Sequence, residues 1–217
     1  MADLVIACLS QKGGVGKSTL ARLISHTFVK NDWSVLLADF NTRQNTASDW
    51  GKIRAAEGVE PAIQVKPFNS PTAIKHEEVD LVVADGKPDS DITSLAIAQQ
   101  SSLVIIPTGL TFDDLKPQVA FAMELRNKGV ENHRILFVLN KTSDQSTNAV
   151  TDARNYISEA EFQIAESELS YKIGYQMAQN TGRAISESNF KTLNDRAMGL
   201  MDEIIRKVNK LVEEEYV

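Results

Sequence analysis

The sequence predicts an α/β fold of three layers, a mostly parallel, twisted sheet with helices on both faces. Five apolar runs recur: Leu4 to Leu9, Ser34 to Asp39, Asp80 to Asp85, Ser102 to Pro107 and Arg134 to Asn140. They are short and nearly continuous rather than alternating, as strands buried on both faces are. Helix-length stretches lie between them, with apolar residues returning every three or four positions. Leu20, Leu23, Ile24 and Phe28 form one such set, and Ala120, Met123 and Leu125 another. Strand and helix alternating on this scale indicate right-handed crossovers. The 217 residues contain no repeat, low-complexity tract or long linker, so one domain spanning 1–217 is expected.

Two weaker strands are expected near Ala62 to Lys66 and Glu161 to Glu166. The last helix should run from about Leu193 to Glu213. Leu193, Ala197, Leu200, Met201, Ile204, Ile205, Val208 and Leu211 form its apolar stripe, and Arg196, Arg206, Lys207 and Lys210 lie mostly off it. Such a helix packs on the sheet or lies on a membrane. The acidic end Glu213–Glu215 would be repelled by anionic lipid, so packing is the expectation.

Composition is that of a soluble protein, 42% hydrophobic and 24% charged, with no apolar run long enough to span a bilayer and no basic-then-apolar leader. A cytoplasmic location is expected. One cysteine, Cys8, excludes a disulfide framework or a cluster of thiolate ligands, and its apolar surroundings make it a core residue. His26, His76 and His133 have no metal-ligand spacing. A net charge of -6 excludes a uniformly basic surface but not a local basic patch.

The chemistry lies in QKGGVGKST, Gln11 to Thr19, which follows the first strand and opens the first helix. That is the context a phosphate-binding loop requires and makes the fold one of P-loop NTPase type. Gly13, Gly14 and Gly16, with Val15 between them, let backbone N–H groups turn toward one anion, and the helix start adds its dipole. Lys17 is placed for the β- and γ-phosphates, Ser18 for Mg²⁺ and Thr19 for the α-phosphate. A glycine turn with a helix cap would explain neither Lys17 nor Ser18 at this spacing.

Lys12 adds a second lysine at the front of the loop. KGGVGKS resembles the deviant Walker A loop of the ParA/MinD family of ATPases. The resemblance implies that Lys12 reaches the partner subunit's phosphates in an ATP-bound homodimer. A second fixed cation fits that role, because Lys17 already serves its own site. Spacing alone leaves a solvated lysine as the alternative. Val82 to Pro88 (VVADGKP) resembles the family's Walker B strand and switch II, placing Asp85 in the Mg²⁺ shell. Ser102 to Leu115 resembles its strand-to-helix segment. Val138 to Lys141 (VLNK) falls where the family brings side chains near the base, which makes Asn140 a nucleotide-binding candidate. The following NKTSD is one residue too long for the guanine-reading pattern, and with Lys12 this favours ATP. The resemblance fades after about Asn140.

Switch I departs from the family. Ala38 to Trp50 reads ADFNTRQNTASDW, where the family usually has D-x-D-P-Q. Asp39 matches the first acid, a ligand to the Mg²⁺ shell. Asn41 stands where the second, water-activating acid is expected, and Gln44 matches the glutamine only if one residue is inserted. An amide orients water but cannot take its proton, so Lys12, Lys17, Asp39 and Asn41 make a slow, partner-dependent ATPase.

The resemblance implies a small ParA-type partition or positioning ATPase without an N-terminal operator-reading domain, since the first strand starts by Leu4. ATP would close a homodimer that holds non-specific DNA and associates with the nucleoid. A ParB-like or other cargo adaptor would trigger hydrolysis. Lys172, Arg183, Lys191, Arg196, Arg206, Lys207 and Lys210 are the candidate DNA contacts. The alternatives are a MinD-like membrane positioner, which needs a C-terminal membrane helix, and a ligase of the dethiobiotin synthetase type. An iron protein of the nitrogenase kind is excluded, because one cysteine cannot ligate its cluster.

Overall fold

A computed structural model describes residues 4–88, 92–143 and 145–215. Strand β1 (Leu4–Ser10) leads through the glycine loop into α1 (Lys17–Lys30), then come β2 (Val35–Asp39), α2 (Thr46–Ala56) and β3 (Gln64–Pro67). The middle of the chain is β4 (Leu81–Pro88), α3 (Ile92–Gln100), β5 (Leu103–Thr108), α4 (Phe112–Asn127) and β6 (Ile135–Thr142). Helix α5 (Thr147–Glu159), β7 (Gln163–Ile164), β8 (Leu169–Ser170), α6 (Ile173–Asn180) and α7 (Lys191–Glu215) complete it.

The strands pair in parallel in the order β3-β2-β4-β1-β5-β6-β7, with β8 added to β6. The continuous apolar runs are explained by burial on both faces. In β1, Leu4, Ile6 and Cys8 enter a core under α1 and α7. Val5, Ala7 and Leu9 enter the opposite core, under α3, α4 and α5. Cys8 is fully buried, and burial raises its thiol well above the ordinary range. Strand β1 is central, with connections leaving to both sides, so its carboxyl end opens onto the crevice where such sheets bind ligands.

The strong strands fall where expected, within a residue or two. Strand β4 continues through Gly86 to Pro88, and the weak strands are shorter than the sequence suggested. Strand β8 has no sequence signal. It pairs with β6 at Asn140 and Thr142, across a register shift at Lys141, whose φ of 59° lies in the left-handed region. Helix α7 begins at Lys191, two residues early. Ala197, Leu200, Met201, Ile204, Val208 and Leu211 are buried in the core, so the apolar stripe packs on the protein rather than standing free for a membrane. No described helix is long and apolar enough to cross a membrane.

A buried ionic knot fastens α1, α2 and the segment after α6. Arg54 is only 2% exposed, and its guanidinium meets Glu187 at 2.7 and 3.1 Å while donating to the carbonyls of Pro61 and Gly182. His26 Nε2 lies 3.2 Å from the same carboxylate. Burial alone would raise the Glu187 carboxyl. Hydrogen bonds from His26, Arg54 and the Ala184 amide outweigh it and hold the pKa at about 2, against an ordinary 4.5. Removing one partner of a buried pair costs about 3–5 kcal/mol, because the other charge stays buried alone. Glu187→Ala should lower stability by that order in urea denaturation. The depressed carboxyl contributes above pH 4.5 and is lost as pH falls toward 2. Over that interval Glu187→Gln should lose less stability than the parent.

Candidate functional site

Parallel pairing sets the acids. Asp39 ends β2 directly opposite Asp85 on β4, and Cys8 of β1 lies on Asp85's other side. Beyond β1 the chain turns through Ser10 to Gly16. Gly14 and Gly16 adopt φ of 74° and 106°, where any side chain would be strained. A Cβ on Gly16 would also collide with the Asn140 side-chain amide. Leu20 N is bonded to Gly16 O at 3.1 Å, the start of the helical ladder. The amides of Lys17, Ser18 and Thr19, the first turn of α1, therefore face outward as anion donors.

Lys17 is 7% exposed, and its ammonium donates to Ser10 Oγ at 2.8 Å and to Lys12 O at 3.2 Å. Burial lowers its pKa, while Asp85 and Cys8 act the other way. Two of its three N–H bonds hold the loop's own oxygens, leaving one for a ligand. Asn140 braces the loop from the other side. Its Nδ2 donates to Val15 O at 2.9 Å, and its Oδ1 accepts from Lys141 N. Asn140 thus braces the loop backbone while one amide N–H and one oxygen lone pair remain on the cavity side.

Asp85 is 1% exposed, and neither carboxylate oxygen has a hydrogen-bond partner. Burial raises its pKa to about 6. The nearby Ser18 hydroxyl lowers it, like charge from Asp39 raises it, and Arg22 and Lys17 lower it. An unpaired buried carboxylate is costly unless a cation joins it. A hydroxyl and a carboxylate are hard oxygen donors suited to Mg²⁺, which keeps most of its shell for phosphate and water. No described cluster of three acid, histidine or cysteine side chains provides a fuller protein cage.

Asp39 is engaged differently. Its Oδ1 accepts from Asn41 N at 3.0 Å, and its Oδ2 accepts from Ser48 N and Oγ at 2.9 and 2.8 Å. Its visible work is to fold the Asn41–Ser48 loop back on β2, so any part in a metal shell would share oxygens already accepting these bonds. Asn41 Nδ2 donates to Gln44 Oε1 at 2.8 Å, and both amides line a cavity of about 440 Å³ above the loop. That volume suits a nucleotide. Gly13, Gly14, Gly16, Lys17, Ser18, Thr19 and Asn140 line it as well. Val15 turns inward to the core and Lys12 turns away.

The Lys12 ammonium meets Asp114 Oδ1 at 2.6 Å and Asp113 O at 3.4 Å, at the start of α4. Pro117 explains the second contact. It lies four residues after Asp113 and has no N–H to give that carbonyl. Thr111 caps the same helix by accepting from Asp114 N. Lys12, Lys141 and Thr111 hold the Asp114 carboxyl below its usual range, although burial opposes them.

Sequence reasoning overlooked Arg22 and Gln179, which line the cavity together with Lys141, the last residue of the VLNK segment. Lys141 extends toward Gly14, its Nζ 4.0 Å from where a Cβ would stand there. Gln179 comes from α6, where nothing in the sequence marked a site.

Residues 6–211 match the model of the CobQ/CobB/MinD/ParA nucleotide binding domain. The chain belongs to this family. No curated protein sequence matches it. Among solved structures, MinD from Pyrococcus horikoshii with Mg-ADP aligns at TM-score 0.72 and 14% identity, over 93% of this chain and 95% of that one. A ParA family ATPase from Chlorobium tepidum aligns at 0.69 and 15%, over 94% and 99%. McdA of Cyanothece in an ATP complex aligns at 0.68 and 14%, over 94% and 97%. At these identities the likeness is one of fold. The family is one of nucleotide binding domains, and the glycine loop with the orphaned Asp85 is the candidate site for a nucleotide in this chain.

Asp85 supplies a test in the nucleotide-free protein. Its folded pKa of about 6 lies above the ordinary 3.8, so the folded state holds the proton more tightly. Stability falls as pH rises through that interval, by about 3 kcal/mol. Asp85→Asn removes the penalty and leaves a neutral amide, at a cost of about 1–3 kcal/mol. The stability change on substitution should be more favourable at pH 7.5 than at pH 4 by roughly 2 kcal/mol. Denaturation at the two pH values measures it.

Proposed function

We propose that the protein is a ParA-type ATP switch, in which ATP with Mg²⁺ closes two copies face to face and slow hydrolysis parts them. The observation that carries the reading is Lys12. It leads the glycine loop yet is not among the residues lining its own nucleotide cavity, 43% exposed and held, among the described residues, by the rim of α4. A partly exposed ion pair is worth about 0–1 kcal/mol, so the polyanionic tail of a second copy's ATP can take the lysine from Asp114. Lys17, the loop amides and Thr19 bind the phosphates of their own subunit. Ser18 and Asp85 hold Mg²⁺, which neutralises phosphate charge, with Asp39 shaping the loop beside it.

Hydrolysis should be slow for a chemical reason. No carboxylate is among the described residues lining the cavity, and switch I lines it with the amides of Asn41 and Gln44 and with Thr46. They orient a water and cannot accept its proton. Positioning and charge supply most of phosphoryl-transfer catalysis, so turnover survives at a low rate. A ParB-like or other cargo adaptor would raise it.

DNA is the surface on which the switch acts in this reading, placing it in the cytoplasm at the nucleoid. Arg196, Lys207 and Lys210 follow one flank of α7, with Arg206 beside them. Lys207 has its pKa lowered by burial and by its neighbour Lys210, which favours an anion there. Lys191 forms a salt bridge with Asp195 within the helix, and Lys172 and Arg183 lie away from it, so these three are weaker candidates.

Sizing the protein with ATP, ADP or no nucleotide tests the switch. A dimer should form with ATP alone, and Lys12→Ala should stay monomeric while still binding ATP. Dimerisation of Lys12→Ala at the parent's concentration would refute the role of Lys12. DNA retention should follow the dimer and fall steeply with salt, and indifference to nucleotide would count against the model.

Turnover tests the amide pair. Asn41→Asp restores a carboxylate where water would be activated and should raise basal hydrolysis about 10-fold or more. An unchanged rate, or a parent as fast as an ordinary ATPase, would defeat that account.

A further inference from the structure

Arg22 stands five residues after Lys17 on α1, 8% exposed and lining the nucleotide cavity. Its Nη2 donates to Thr46 O at 2.7 Å, the first residue of α2. Its Nη1 donates to Gln179 Oε1 on α6 at 3.1 Å. The guanidinium lies 5.4 Å from the centre of the Trp50 ring. Its Nε is buried without a partner, and burial lowers its pKa against the pull of Asp85 and Asp39. A guanidinium held this way costs several kcal/mol in desolvation, and an apolar side chain would serve packing better.

Gln179 accepts a second donor on the same oxygen, Thr19 Oγ1 at 3.1 Å. The contacts form an unbroken series from the loop's last residue through Gln179 and Arg22 to Thr46. Thr46 lies two residues before Ser48, which holds Asp39. A threonine hydroxyl has one proton. If Thr19 gives it to a phosphate oxygen, Gln179 Oε1 is left to Arg22 alone.

We propose that Arg22 is a positioning residue that couples phosphate contact at Thr19, through Gln179, to the setting of switch I at Thr46 and Asp39. The inference rests on the nucleotide reading above. Its consequence is that Mg²⁺ strengthens nucleotide binding only while the Thr19–Gln179–Arg22–Thr46 series is intact. Lysine cannot replace arginine, because one ammonium does not present the planar fork that spans acceptors on two helices.

A double-mutant cycle on ADP affinity, with Mg²⁺ and with EDTA, tests the coupling without using turnover. Arg22→Met and Gln179→Ala should each reduce the Mg²⁺-dependent gain, the ratio of ADP affinity with Mg²⁺ to that in EDTA, about 10-fold. The double variant should lose no more than either single one, a coupling of about 1.4 kcal/mol. Arg22→Lys should resemble Arg22→Met, and Gln179→Glu should retain the gain. Additive losses, or equal losses with Mg²⁺ and EDTA, would overturn the proposal and reduce Arg22 to a structural residue. Gln179 is only half-buried on a short helix, so its variants keep the test decisive if Arg22→Met fails to fold. A parent protein that binds no ADP would refute the nucleotide reading itself.

Discussion

The structure depends on confining four charged side chains, Lys17, Arg22, Asp39 and Asp85, at the carboxyl edge of a buried parallel sheet. All four are less than 9% exposed. Two cations balance two anions, so the cluster is neutral in sum but unevenly satisfied. Lys17, Arg22 and Asp39 have protein hydrogen bonds. Asp85 has none. Burial holds its pKa at about 6 despite two neighbouring cations, so it gains most when a metal arrives. The glycine loop, the switch I loop and α6 each tie one of the other three charges in place.

In the function proposed above, this arrangement suits holding a nucleotide better than cleaving it. Asp39 and Asp85 are buried, while the amides of Asn41 and Gln44 stand at the cavity rim. Asp39 is occupied by Ser48 and Asn41 in shaping the loop. Lys12, which would bring charge from a second copy, rests on a carboxylate and on a carbonyl left without its helix donor by Pro117. The cost of moving it is low, since the pair is partly solvated.

The fold was legible because both-face burial writes itself into sequence as continuous β-branched and aliphatic runs. The phosphate loop was legible because Gly14 and Gly16 require backbone conformations that few residues tolerate, and Lys17 follows at a fixed interval. What sequence did not reveal came from long-range packing. Strand β8 is two residues long and pairs with β6 on both sides of the irregularity at Lys141. Asn140 carries no sequence signal of its bond to Val15 O, which tertiary folding brings within reach from 125 residues away. Lys12 was read with a partner subunit in view, and its neighbour Asp114, 102 residues on, carried no signal of pairing.

Arg22 shows why such residues escape a motif search. On α1 it follows Leu20 and Ala21 and precedes Leu23 and Ile24, so its surroundings read as the apolar face of a helix. A charge there is tolerated only if acceptors from other elements converge on it, and these come from α2 and α6. Sequence spacing cannot express that convergence, because Thr46 lies 24 residues away and Gln179 lies 157. The loop captures the phosphates locally, whereas the response of switch I requires a side chain long enough to bridge separate helices. A guanidinium between two acceptors transmits a change at one only if it is not free to relax elsewhere, and packing on Trp50 removes that freedom. The energetic cost of burying Arg22 and its ability to couple the two sides of the site thus have the same physical origin.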